Sequence, residues 1–351
     1  MGAALALSII SVIAMTSAAA TLNPALAWRQ AVWVVVGIGV CVVMAQIPYT
    51  RWTQGGGIAY GVSVALLAFV LLGGTTRLGA TRWISLFGLS VQPVELAKLM
   101  IIWWLASSLA GQPPPLSTRS VLMTLAMVGL PALLVFHQPD LGSATILLAI
   151  WCGMAWIGGL SRRHLMRLGV CVIGLLPVLW HLLRPYQRDR LLVFVNPHAD
   201  PLGTGYTVIQ SQIAIGSGQW MGRGWFAGTQ NQLNFLPERH SDFLFSVIGE
   251  EWGLLGALCV MGAFGVLLSR ILGIAQHSLN PHGRLLAVGV FSWLAYQAFV
   301  NIGMVIGVLP VVGMPLPLLS YGGSSMVAVW AAVGLMQRIH LASHSTRHPV
   351  T

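Results

Sequence analysis

The chain alternates long apolar stretches with short polar punctuation. A helix needs roughly 20 apolar residues to cross the hydrocarbon core of a bilayer. On that ruler ten stretches qualify, near residues 2–20, 30–48, 56–74, 93–110, 119–137, 141–159, 168–184, 242–269, 285–309 and 324–341. The pattern therefore predicts an all-α integral membrane protein of about ten transmembrane helices, with both termini on one side. Only one connection is long, residues 185–241 between spans 7 and 8. Its stretch YTVIQSQIAIGSGQWMGRGWF mixes aliphatics, glycines and two tryptophans. It is too polar to span and too apolar to be disordered, so an interfacial helix or re-entrant segment packed on the bundle is expected. No internal repeat, direct or inverted, is visible. Residues 1–351 read as a single polytopic domain with 185–241 as a long extracytoplasmic loop within it.

Composition agrees with this pattern. Hydrophobic residues make up 56% of the chain and charged residues 7%, against about 25% charged in soluble domains. The formal charge of +10 would suggest nucleic acid in a soluble protein. Here helix-flanking arginines that orient the chain and meet anionic head groups account for it. Arg51, Arg119, Arg162, Arg163, Arg167, Arg270, Arg284, Arg338 and Arg347 fall on one set of loops and tails, against Arg29, Arg77 and Arg82 on the opposite short loops. The arginine-rich side, with both termini, is expected to face the cytoplasm. No Asp or Glu falls in any of those cytoplasmic loops. Residues 3–20 lack the basic flank of a signal peptide and are followed by further apolar runs, so they read as the first span. Cys41, Cys152, Cys171 and Cys259 sit in apolar runs without metal or redox spacing and read as small buried hydrophobes.

The eight acidic residues carry most of the remaining information. In FLPERHSDFLF the cluster Glu238-Arg239-His240-Ser241-Asp242 stands directly against an apolar run. Ser241 or Asp242 could simply cap the helix that begins there. Alternatively, Asp242 is a general base or metal ligand held at the outer membrane surface beside His240, Arg239 and Glu238. Glu95 and Lys98, the latter the only lysine in the chain, lie at i and i+3 on one helix face inside a span. Ionisable groups are expensive there and usually functional, although a mutually neutralising structural pair fits equally. Asp140 in HQPDLG is a turn former or a cavity residue. Glu250 and Glu251 follow Asp242 at about 80° and 180° round a continuous helix, so at most one shares a cavity with it. Arg82, Arg188, Arg190 and Arg223 are outer-side arginines that orientation does not require, and together they suggest an anionic substrate. SYGGSS at 320–325 reads as a tight turn. No Ser/His/Asp triad, zinc spacing, Walker loop or dinucleotide fingerprint is in view.

Several strings taken in order resemble one family. RWISLFGLSVQPVELAK, QPDLG, NPHADPLGTGYTVIQSQIAIGSG, GTQNQLNFLPERHSDFLFSVIGEEWG and GMPLPLLSYGGSS are similar to the SEDS proteins of shape, elongation, division and sporulation. The resemblance runs from about residue 44 to 340. It is closer to the RodA type, of cell elongation, than to the FtsW type, of division. Val94 stands where the family usually has Ser, which puts any hydrogen-bonding role at 94 in doubt. Ser241 replaces the usual Thr and keeps the hydroxyl.

The resemblance implies a peptidoglycan glycosyltransferase that polymerises lipid II on the outer face of the cytoplasmic membrane. It also implies a class B penicillin-binding protein (a transpeptidase) as partner within the elongation machinery. The family's essential aspartate maps onto Asp242, its intramembrane Glu and Lys onto Glu95 and Lys98, and its QPD aspartate onto Asp140. On this expectation Asp242 takes the proton from an acceptor-sugar hydroxyl, and arginines such as Arg82, Arg188 and Arg190, or a divalent cation (magnesium or manganese), carry the departing pyrophosphate. Two other readings remain open from the residues. One is a lipid II flippase, with Glu95 and Lys98 on a hydrophilic path. The other is a non-catalytic scaffold for the penicillin-binding protein.

Overall fold

The computed structural model describes residues 1–77, 80–86, 89–196, 200 and 203–345. Among them, ten long helices fall on the ten apolar runs: α1 (Gly2–Ala18), α2 (Ala25–Gln46), α4 (Gly56–Gly73), α5 (Pro93–Leu109), α6 (Thr118–His137), α7 (Leu141–Ile157), α8 (Arg162–Leu182), α12 (Leu244–His277), α13 (Pro281–Val305) and α14 (Gly323–Ser345). Four short or peripheral helices complete the set: α3 (Tyr49–Gln54), α9 (Pro185–Val195), α10 (Thr204–Gly218) and α11 (Thr229–Gln232). Among the described residues six helices, α2, α4, α6, α12, α13 and α14, are long and apolar enough to cross a membrane; α1 and α7 are shorter apolar helices. The chain is a multi-pass membrane protein.

One element has no counterpart in the apolar runs. Between α4 and α5 the strands β1 (Thr75–Arg77), β2 (Ala80–Leu86) and β3 (Leu89–Val91) form a small antiparallel sheet in the order β1-β2-β3. It replaces the expected plain loop and holds Arg82 on its central strand.

Helix α13 lies at the centre and packs against α5, α7, α10, α12 and α14. Trp293 on α13 and Trp330 on α14 are the largest fully buried side chains. Gly37 makes room for Trp330: a Cβ there would come within 2.6 Å of the indole. Helix α8 is the opposite case, standing clear of the bundle with almost every side chain exposed. Cys41 is buried, but Cys152, Cys171 and Cys259 are exposed, which corrects the sequence reading. An apolar run in a membrane protein can face lipid as well as protein, and these three do not face the packed interior.

The loop between α8 and α12 folds onto the bundle through an interruption in α12. Gly253 has φ 68° and ψ −163°, outside the helical region. A break of this kind frees backbone groups that must be satisfied internally. Residues 219–224 do so reciprocally. The Arg223 and Gly224 N–H groups donate to the Glu250 and Glu251 carbonyls, both at 3.0 Å. The Leu254 and Leu255 N–H groups donate to the Gln219 and Trp220 carbonyls at 2.8 and 3.2 Å. The expected packed segment is thus present, with α10 lying against α12. Gly253→Ala would place a methyl group against the Gly222 nitrogen and the Trp220 carbonyl at a positive φ. A left-handed non-glycine residue alone costs about 1–3 kcal/mol. Thermal unfolding in detergent should therefore show a clearly lowered midpoint for Gly253→Ala and a smaller change for Gly262→Ala, where the added Cβ meets open space.

Candidate active site

Asp242 closes a tight turn at the start of α12. The Glu238 carbonyl accepts the N–H groups of Ser241, Asp242 and Phe243 at 3.1, 3.1 and 3.4 Å. Glu238 itself takes a positive φ of 48°, and its exposed carboxylate accepts the Ser241 hydroxyl at 3.2 Å. The cap position of α12 is Phe243, with no side-chain hydrogen bond from Ser241 or Asp242. Helix capping therefore does not explain the aspartate.

The Asp242 main chain is fixed from α13. The Asn301 amide donates to the Asp242 carbonyl at 3.0 Å and to the Met314 carbonyl at 2.6 Å. The segment 310–316 is thereby drawn across the carboxylate. Gly313 has φ 70°, and a Cβ there would lie 3.4 Å from Asp242 Oδ2 and 3.7 Å from Arg190 Nη1. Glycine at 313 is required both by its backbone and by the closeness of these two groups.

Arg190 is delivered by α9. Pro185 at its first turn and the Arg184 N–H donating to Gln187 Oε1 at 3.0 Å start that helix. Tyr186 and Arg190, four residues apart, share one face. The guanidinium lies 5.8 Å from the Tyr186 ring and donates to the Val311 carbonyl at 3.4 Å. Across a narrow cleft lined by Tyr186, Arg190, Val311, Val312 and Pro139 stands Arg82 from β2. It donates to the Gln138 carbonyl at 3.2 Å and to the Pro139 carbonyl, and lies 3.8 Å from Asp140.

Asp140 is engaged on every side. It caps α7 by accepting the Ser143 N–H at 3.0 Å, and it accepts the Ser143 hydroxyl at 2.9 Å and the Gln92 amide at 3.3 Å. The turn-forming reading of Asp140 and its place beside the cleft are both true. Asp242 differs: among the described residues its carboxylate accepts no hydrogen bond. Burial, and then the Glu238 charge, push its pKa up to about 6, against the opposing pull of Arg190 and Arg82.

Other sequence candidates lie apart from this cleft. Arg239 is fully buried and spent on acceptors, donating to the Ala18 carbonyl at 2.8 Å, the Asn231 carbonyl at 2.7 Å and the Thr21 hydroxyl. It clamps the end of α1 to the loop instead of facing a substrate. Arg188 turns back to the His181 carbonyl at 2.7 Å. His240 lies 3.9 Å from the Glu238 carboxylate and 6.0 Å from the Tyr321 ring; burial lowers its pKa and favours the neutral imidazole. Neither Glu250 nor Glu251 is directed toward Asp242 or lines the cleft. Glu250 accepts the Gln230 and Asn231 N–H groups at 2.8 and 3.2 Å at the start of α11, and Glu251 accepts the Ser17 hydroxyl and the Asn231 amide. Among the described residues no group of three or more His, Cys, Asp or Glu side chains clusters as a metal site.

Glu95 and Lys98 form a buried pair at 2.8 Å, both almost wholly enclosed. Lys98 also donates to Gln297 at 3.2 Å and lies 4.7 Å from the Trp293 ring centre. Gln297 in turn donates to the Pro315 carbonyl at 2.7 Å. The ion pair therefore supports, from beneath, the segment that Asn301 holds against Asp242. Gln297 and Asn301 were not singled out from the sequence. Their spacing of four on a helix long enough to span is the signal that places both amides on one face.

The family description that matches residues 1–345 is that of the cell cycle proteins FtsW, RodA and SpoVE. The chain belongs to this family. It is 41% identical over 311 residues to the peptidoglycan glycosyltransferase MrdB of Escherichia coli, covering 88% of this chain and 83% of that protein. It is 39% identical over 319 residues to the probable peptidoglycan glycosyltransferase FtsW of Thioalkalivibrio sulfidiphilus, covering 89% and 79%. Among solved structures, it superposes on a chain of a peptidoglycan synthase complex that coordinates polymerisation and crosslinking (TM-score 0.84, 35% identity, 97% and 96% covered). It likewise resembles the rod shape determining protein RodA of Thermus thermophilus (TM-score 0.74, 29% identity, 97% and 95% covered).

Removing one member of the buried pair leaves an uncompensated charge. Lys98→Met should destabilise the protein by about 3–5 kcal/mol, and the paired change with Glu95→Gln should recover most of that loss. Thermal unfolding of the three proteins in detergent checks both.

Proposed function

We propose that this chain is a peptidoglycan glycosyltransferase of the elongation type that polymerises lipid II at the outer face of the cytoplasmic membrane, with Asp242 as general base. The observation that carries the reading is the state of that carboxylate. Of the acidic side chains that are at least partly buried among the described residues, Asp242 alone accepts no hydrogen bond, and two arginines face it. Its raised pKa of about 6 suits a base working near neutral pH.

In this reading the 4-hydroxyl of the acceptor sugar gives its proton to Asp242. Its oxygen attacks the anomeric carbon of the lipid-pyrophosphate donor with inversion. The bond to the pyrophosphate breaks and its electron pair leaves with the phosphate oxygen. That leaving group needs no proton, so no second carboxylic acid is required, unlike the acid–base pair of glycosidases. Charge developing on it is met by Arg190 and Arg82, held in place before the reaction by carbonyl contacts. The arginine-rich loops and both termini face the cytoplasm, and the Asp242 end faces outward. A class B penicillin-binding protein cross-links the product. Likeness to a chain of a synthase complex and to a rod shape determinant supports that role and the elongation assignment. The closed environment of Glu95 and Lys98 speaks against a flippase, which needs polar groups lining a continuous path.

Polymerisation from lipid II by purified protein with its penicillin-binding partner tests the reading. Asp242→Asn should lower the rate about 10²–10⁴-fold with partner binding retained; equal rates would remove Asp242 from the chemistry. The base works deprotonated, so the native rate should rise with pH through about 6 and level off above. Glu238→Gln removes a charge that raises the Asp242 pKa, so the acid limb of its pH–rate profile should move to lower pH.

A further inference from the structure

The reaction leaves an exposed apolar part of the long loop unused. Trp220 and Met221 are 70% and 76% exposed, and Trp225 and Phe226 beside them are also open, their rings 5.2 Å apart. Arg223 stands exposed between them. Such a patch on a soluble surface would be anomalous, but its position along α12 shows what covers it.

Helix α12 contains 34 residues in two parts on either side of the break, more than the roughly 20 that cross the hydrocarbon core. Its burial divides it at the break. From Leu244 to Gly253 the side chains are buried apart from half-buried Trp252, whereas Leu254, Leu255, Leu258 and Met261 point outward. The segment from Leu254 to His277 is about 36 Å long, enough to span. The lipid-facing surface of α12 therefore begins at the break. The Trp220 and Gln219 carbonyls are bonded to that first turn, at Leu255 and Leu254. The exposed aromatics consequently stand at the level where the bilayer surface starts. Beside them a groove of about 510 Å³ is lined by Gly216, Trp220, Gly249, Gly253 and Leu254, so it shares Trp220 with the patch and Leu254 with the outward face of α12. Tryptophan favours this boundary because its ring is apolar and its N–H is polar, and an arginine among lipid phosphates complements it.

We propose that residues 219–226 are an interfacial anchor. Trp220, Met221, Trp225 and Phe226 lie in the boundary between head groups and acyl chains, and the groove receives an acyl chain of an adjacent membrane lipid. Arg223 pairs with lipid phosphate. Because the same residues are knitted to α12 at Gly253, the anchor sets the depth of the half-helix Leu244–Gly253 and of Asp242 before it. The inference rests on the membrane-spanning character of α12 and is independent of the glycosyltransferase reading.

The test places a fluorophore at the tip. Met221→Cys, in a chain whose four native cysteines are replaced by alanine, is labelled with NBD and reconstituted without partner into phosphatidylethanolamine/phosphatidylglycerol bilayers. Blue-shifted emission, quenched several-fold more by lipid carrying a nitroxide at acyl carbon 5 than by aqueous iodide, is the expected result. Quenching by iodide with no response to the nitroxide lipid would place the loop in water and overturn the proposal. Shielding from both quenchers would place it against protein and overturn it equally. If the cysteine-free chain does not fold, a photo-crosslinking residue at position 221 of the native chain separates the same outcomes in cells: lipid adducts support the anchor, and protein adducts alone reject it.

Discussion

A backbone buried among packed helices has no water to turn to when it is interrupted, and the interruption of α12 at the buried Gly253 is the constraint around which this end of the molecule is organised. The freed carbonyls of Glu250 and Glu251 and the freed N–H groups of Leu254 and Leu255 are met by one short stretch of the loop. That stretch in turn needs glycine at 218 and 222, because a side chain at either would collide with the α12 backbone. The two glutamates at the break then find a use for their side chains in organising α11 and the end of α1. Backbone satisfaction, loop conformation and carboxylate direction are thus one solution to one problem.

The site follows from a second economy. A carboxylate enclosed in protein is normally neutralised or hydrogen-bonded, and Glu95, Asp140, Glu250 and Glu251 all obey. Asp242 is held by its backbone instead, through Asn301. Fixing the main chain while leaving the oxygens without hydrogen-bond donors gives a carboxylate that is positioned but not neutralised, the arrangement the proposed base requires. Burial raises its proton affinity, and Arg190 and Arg82 keep it from rising further. These two arginines anchor themselves on carbonyl groups, so their charge is not cancelled by Asp242.

Helix positions were legible in the sequence because lipid imposes a length and a composition that few soluble segments share. Asp242 stood out as a candidate because acids are scarce and this one stood at an apolar boundary. The direction of each arginine was not legible. Arg188 and Arg190 are two residues apart on α9 and face different neighbours, and Arg239, only three residues from Asp242, points into the α1 contact. Such choices are made by tertiary packing, which local sequence does not encode. The break at Gly253 was missed for a similar reason: GEEWGLL reads as a continuous helix until the inserted loop is known. The angular argument, that at most one of Glu250 and Glu251 shares a cavity with Asp242, agrees with the structure, which draws both to α11 and α1. The small sheet carrying Arg82 was hidden in a connection too short to show a pattern of its own.

The pairing of Glu95 with Lys98 within a single turn of α5 has a consequence for how the protein is made. Each group alone would oppose entry of α5 into the bilayer, by about 2.5–3.5 kcal/mol for a centrally placed charge on insertion scales. Gln297 and Trp293, which complete the network, are synthesised some two hundred residues later. With its counter-ion on the same helix, α5 is already neutral when it leaves the ribosome. It can be handed to the membrane as a finished segment, before the helices that will enclose it exist.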